Sequence, residues 1–220
     1  MRLFTKNMAA AVVGAVAFVA LSTASHATTV TNVFSTGVDA SGNVQSGGSD
    51  IHYSSTGPTT LYHNPAYLAD DAVGTPGSAW IGSEDAFPDK AGVGTFDYTV
   101  HFTLASVSDA VLSGLWGTDN QGMDILINGH STGLQLLGVV FDNFNQLHSF
   151  TTSLAQSAFF LVGDNTLTFR VENDGGPGAL RTANLSVATT PIPPSILMFL
   201  TALGGMGFVG YRRRAGSSAA

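Results

Sequence analysis

The chain has 220 residues, room for one ordinary domain, with 10% charged residues, 44% hydrophobic ones and 26 glycines. That composition excludes a coiled coil, a highly charged disordered chain and a histone-like basic binder, and the lack of cysteine excludes disulfides, thiolate zinc sites and cysteine nucleophiles. All 15 acidic residues lie between Thr28 and Thr190 against three basic ones, Lys90, Arg170 and Arg181, a net of −12 that argues against a DNA or RNA partner.

The N-terminus has the layout of a cleaved secretory signal over residues 1–27. Arg2 and Lys6 form a basic start, Met8 to Leu21 is a 14-residue apolar run, and Ser25-His26-Ala27 places small residues where a signal peptidase reads. Cleavage is expected after Ala27, with Ala24 as the alternative. The apolar run is too short for a comfortable membrane span.

Residues 28–189 are expected to form an all-β domain of the jelly-roll or β-sandwich class. Glycine, asparagine, aspartate and serine recur every 8 to 12 residues, the punctuation of a sandwich. In chain order, Thr29–Phe34, Asp50–Ser54, Phe96–Leu104, Val107–Trp116, Asp124–Ile127, His148–Thr152, Thr166–Glu172 and Leu185–Val187 read as strands. The Phe96–Leu104 segment alternates apolar and polar residues throughout, the pattern of a strand with one buried face. Leu154–Leu161 suits one or two helical turns, with Gly163-Asp164-Asn165 turning into the next strand. No long amphipathic helix is expected.

Candidate site residues are few. Trp80, among Gly77, Ser78 and Gly82, has the makings of a sugar platform, because a sugar's C–H face stacks on a flat ring while its hydroxyls need polar partners; packing under a loop is the other reading. Trp116 reads as core. Asp119, Asn120 and Asp124 carry oxygens that suit a structural calcium, although Asp119-Asn120 equally suits a turn. Asp70-Asp71 and Glu84-Asp85 with Asp89 are further cation candidates. Arg170 and Arg181 either pair with carboxylates or contact a ligand. None of the five histidines after the leader stands at metal-ligand spacing, and no Gly-x-Ser-x-Gly elbow supports a hydrolase. No catalytic residue and no cofactor beyond a structural calcium is expected.

The C-terminus is tripartite. Pro191, Pro193 and Pro194 end the preceding strand, Ser195 to Gly210 is a 16-residue uncharged stretch, and Arg212, Arg213 and Arg214 follow. Sixteen helical residues span about 24 Å against a bilayer core of about 30 Å, so residues 195–210 are expected to cross with snorkelling flanks. The arginines favour the cytoplasmic side, with 215–220 as a short cytoplasmic tail and the domain outside.

Those residues over 190–214 resemble the PEP-CTERM sorting signal of Gram-negative bacteria; Pro191-Ile192-Pro193-Pro194 is closer to the variant beginning Val-Pro-Leu-Pro-Ala. The resemblance implies recognition by an exosortase, transient residence in the inner membrane and delivery to the cell surface or outside. The order Asp50-Ile51-His52-Tyr53, Ala79-Trp80-Ile81-Gly82, Phe96–Leu104, Leu112–Asn120, Asp124–Gly129, Asn165–Phe169 and Asn173–Arg181 also resembles secreted jelly-roll domains with a galactose-binding-like fold. That implies a two-sheet sandwich whose loops hold a glycan or calcium, with Trp80, Asp119, Asn120 and Arg181 as the ligand-binding candidates. The functional expectation is an exported, non-catalytic module for carbohydrate or exopolysaccharide; a ligand-free biofilm coat protein and a secreted hydrolase are the alternatives.

Overall fold

A computed structural model describes residues 28–30, 33–83 and 93–190. The expected leader, the acidic run Glu84, Asp85 and Asp89, and the whole sorting signal from Pro191 onward lie outside the described residues. What is described falls within one compact unit, 25–192.

Ten strands are described: β1 (Thr28–Val30), β2 (Tyr53–Ser55), β3 (Ile81–Ser83), β4 (Gly94–Leu104), β5 (Val111–Asp119), β6 (Gln121–Ile127), β7 (His130–Ser131), β8 (His148–Thr151), β9 (Gly163–Asn173) and β10 (Gly178–Thr189). One short helix, α1 (Val140–Asn145), precedes β8, and a 3-10 turn (Leu154–Phe159) follows it. The strands form two five-stranded antiparallel sheets. The first runs β1-β10-β5-β8, with β3 also paired to β10; the second runs β2-β4-β9-β6-β7. The molecule is therefore an all-β sandwich.

The β4–β9 ladder runs unbroken from Gly94↔Asn173 to Leu104↔Gly163. Its alternation sends Tyr98, Val100 and Phe102 inward on β4 and Leu167, Phe169 and Val171 inward on β9, where cross-strand pairs such as Tyr98↔Phe169 stabilise the sheet. From the other sheet Leu112, Trp116, Leu180, Leu185 and Val187 join the same buried cluster. Trp116 sits at its centre, with ring centroids 5.8 Å from Phe169 and 6.3 Å from Phe150.

Several expected boundaries move. The strand expected over Thr29–Phe34 is paired only at Thr28–Val30, and the one expected over Asp50–Ser54 begins at Tyr53. Asp50 is no strand residue because its buried carboxylate accepts backbone N–H bonds from Gly37, His52 and Tyr53, which fixes a turn. The segment expected over Val107–Trp116 starts later, at Val111, and runs on to Asp119. Gly163-Asp164-Asn165 opens β9 instead of turning before it, with Gly163 at φ +94. α1 and the first half of β10 have no counterpart in the sequence-based reading.

Candidate functional site

The outer face of the first sheet is covered by the chain between Leu61 and Trp80. Gly117 on β5 and Ala179 on β10 leave that face nearly flat, so aromatic rings lie directly on the backbone. A Cβ on Gly117 would stand 2.9 Å from Cη2 of Trp80. Tyr62, Tyr67, Trp80 and Ala179 form a second buried cluster, with Phe144 of α1 packed against it. Tyr67 is its hub: its ring centroid lies 4.9 Å from Trp80, 5.0 Å from Phe144 and 5.7 Å from Tyr62.

Polar bonds lock this layer down. Trp80 Nε1 donates to the Leu68 carbonyl at 2.8 Å, and its backbone N–H donates to Asp70 Oδ1 at 2.7 Å. Tyr67 Oη donates to Asp119 Oδ2 at 2.5 Å. Burial pushes the Tyr67 hydroxyl well above its ordinary value, and the adjoining Asp119 carboxylate pushes the same way. Asp119 itself is held above the usual carboxylate range by burial and by the charge of Asp174, against the opposing hydrogen bond from Tyr67.

Above the layer opens a cleft of about 490 Å³, lined by His63, Asn64, Pro65, Tyr67, Leu68, Ala69 and Asp70, with Trp80 as floor. That volume falls in the range of small-molecule sites. His63 stands at its rim with a side chain 66% exposed, and its Nδ1 is 2.5 Å from Asp70 Oδ2. The carboxylate fixes the ring and, with the proton on Nδ1, leaves Nε2 as an acceptor. Asn64 builds the rim turn: its Oδ1 accepts from Ala66 N at 2.9 Å, and its Nδ2 donates to Tyr62 Oη at 3.0 Å. Phe144, which packs against this layer, is met edge-on at 5.3 Å by the exposed Phe141. The cleft offers a ligand the rim polar groups of His63, Asn64 and Asp70 and the apolar surface of Pro65 and Leu68, above rings that are themselves almost wholly buried. It brings together a histidine and a carboxylate with no described nucleophile beside them.

The residues singled out from sequence land differently. Trp80 is 1% exposed, so it offers no open face to a sugar; the expectation of a stacking platform is corrected to a buried floor, because the Leu61–Trp80 crossing folds the ring onto Gly117. Arg181 is 2% exposed and also structural: Nε donates to Ser78 Oγ at 2.9 Å, Nη1 to the Ala69 carbonyl at 2.7 Å, and Nη2 to Asp71 Oδ2 at 3.0 Å. Its part is to pin the covering segment to β10. Asn120 ties neighbouring turns, its Oδ1 accepting from Asp174 N at 3.0 Å and its carbonyl from Asn143 Nδ2 at 2.9 Å.

Asp119 and Asp124 are not brought together as calcium ligands. They end up on strands of different sheets; Asp119 is engaged by Tyr67, and Asp124 Oδ1 accepts from Ile125 N and Gly133 N. Asp70 and Asp71 are committed to His63 with Trp80 and to Arg181 with Ser78. Among the described residues no group of three or more histidine, aspartate or glutamate side chains gathers to hold a metal ion. His63, Asn64 and Tyr67 were not anticipated. The available signal was two tyrosines, Tyr62 and Tyr67, flanking an Asn64-Pro65 turn.

No family model and no curated protein matches this sequence. Among solved structures the chain is similar to the CBM36-1 domain of a multidomain xylanase from the hindgut metagenome of Trinervitermes trinervoides, at 11% identity and a TM-score of 0.32, over 64% of this chain and 99% of that one. A likeness that loose carries no function across.

Proposed function

We propose that this is an exported, non-catalytic protein whose sandwich binds carbohydrate in the cleft over the first sheet. The observation that carries the reading is the pairing of an aromatic floor, Tyr67 over Trp80, with a rim histidine oriented by Asp70. Pro65, Leu68 and Ala69 supply apolar lining for a sugar's C–H groups, and the oriented polar groups of the rim select its hydroxyls. Export and sorting rest on the sequence alone: signal peptidase and an exosortase are the proposed processing partners, the inner membrane is the proposed transit station, and the cell surface or the medium is the proposed destination.

The test is glycan binding by the exported protein. His63→Ala is expected to weaken the binding of the best-retained polysaccharide about tenfold, the scale of one lost polar contact of about 1.5 kcal/mol, while the thermal midpoint stays put because His63 is exposed. One observation favours the coat-protein reading instead. The Tyr62 and Tyr67 rings are 9% and 8% exposed, so little aromatic face is open. Uniform absence of retention across neutral and charged polysaccharides would establish that reading over the first.

A further inference from the structure

We infer that the polysaccharide taken by this cleft carries no acidic groups, and that uronate- or sulfate-bearing polymers are rejected; the inference rests on the glycan reading above and narrows it. The argument is where the scarce cations go. Of the three basic residues between Thr28 and Thr190, Lys90 lies outside the described residues. Arg181 is buried and bonded through all three guanidinium nitrogens to Ser78, Ala69 and Asp71. Arg170 is on β9, in the second sheet, and grips Asp97 in a two-pronged pair at 2.8 and 2.9 Å. Among the described residues, therefore, no lysine or arginine is left to meet a carboxylate or sulfate at the cleft.

The cleft's own lining holds one carboxylate, Asp70, and no lysine or arginine. His63 is the one titratable cation former lining the cleft, and Asp70 already holds it. A charged sugar entering would lose hydration without gaining a counter-charge, against the field of a domain at −12. Neutral hydroxyls face no such cost. They are donors, and carboxylate oxygens accept from them in strong, charge-assisted bonds.

The experiment is native affinity electrophoresis of the full chain in gels holding neutral polysaccharides, each run beside its own carboxymethyl derivative, with EDTA present to remove bridging cations. The expected result is at least one neutral polymer that retards the protein about tenfold more strongly than its derivative at low salt, with the gap closing as salt approaches about 1 M and screening shortens to about 3 Å. A derivative that binds as tightly as its parent in EDTA overturns the inference while leaving the glycan reading intact. Retardation by neither polymer of any pair removes the glycan reading itself. A gap that persists unchanged at about 1 M salt removes its electrostatic cause.

Discussion

Two arginines of the same domain separate surface from interior electrostatics. Arg181 and Arg170 both pair with aspartate, but their side chains are 3% and 40% exposed. Removing the Arg181 guanidinium takes a partner from the fully buried Ser78 Oγ and leaves a void in a buried layer, whereas Ala69, an exposed residue, and Asp71 at 49% exposure can rehydrate. Arg181→Met is therefore expected to cost about 2–4 kcal/mol, somewhat below a fully enclosed pair, while Arg170→Met costs under about 1 kcal/mol after solvent screening, both read from urea midpoints. Equal losses would contradict the structural role given to Arg181. Asp119 makes a residue-scale statement about pH. Its native proton affinity is raised by burial, so the folded state binds the proton more tightly than the unfolded chain does. That contribution to stability is complete below about pH 4, the unfolded carboxyl value, and is lost as pH climbs through the raised native value. Asp119→Asn keeps an acceptor for Tyr67 and removes the loss. The variant is expected to gain on the wild type above about pH 4 and to level off once the pH has passed the raised native value, read from urea midpoints; parallel curves would count against a raised Asp119.

At the scale of elements, packing between strands decides which glycines are replaceable. Gly122 on β6 exchanges backbone bonds with Leu136, and a Cβ there would run into Cη2 of Trp116 and stand 2.7 Å from its Cζ3. The indole is wedged in the main core and cannot swing away. Gly122→Ala is expected to destabilise by about 1–3 kcal/mol, and Gly138→Ala, which meets open space, by less than about 0.5 kcal/mol, in the same denaturation assay. The regular part of the fold was legible for the reason β4 shows: one face buried and one wet gives strict alternation, and the Phe96–Leu104 expectation lies inside the observed strand. β10 was half missed because it breaks that rule twice. Its outer face is covered, so Arg181 is buried on the side opposite Leu180, and an irregularity between Ala183 and Ser186, with Asn184 at φ +54, shifts the inward set from Leu180 and Thr182 to Leu185 and Val187. Period-2 reading recovers only the stretch after the shift. The site was missed for a related reason. It is built by a loop crossing whose position depends on Gly117 and Ala179, more than thirty residues away, and a local pattern holds no record of that.

At the scale of the whole sandwich, the two ends of the described body emerge together and away from the cleft. Thr28 pairs with Thr189, and Thr190 N donates to the Ser108 carbonyl beside the start of β5. Asp119, which anchors Tyr67 beneath the cleft, is the last residue of that nine-residue strand, about 30 Å along it. The pairing of β1 also limits where a leader can be cut. Thr28, Thr29 and Val30 all lie in register on β10, so cleavage after Ala27 releases the leader with every β1 pair intact. Cutting two or three residues further in would strip the edge strand and expose the backbone groups of β10. If the leader is removed as proposed, the intact mass of the mature protein is expected to begin at Thr28, or at Ser25 for the alternative cut after Ala24, both of which keep every β1 pair. Replacing Arg212, Arg213 and Arg214 with neutral residues is expected to leave a membrane-held precursor whose mass still includes Ala220. A mature N-terminus beyond Val30, or normal processing of the arginine variant, would contradict the leader and the tail respectively, each without touching the other.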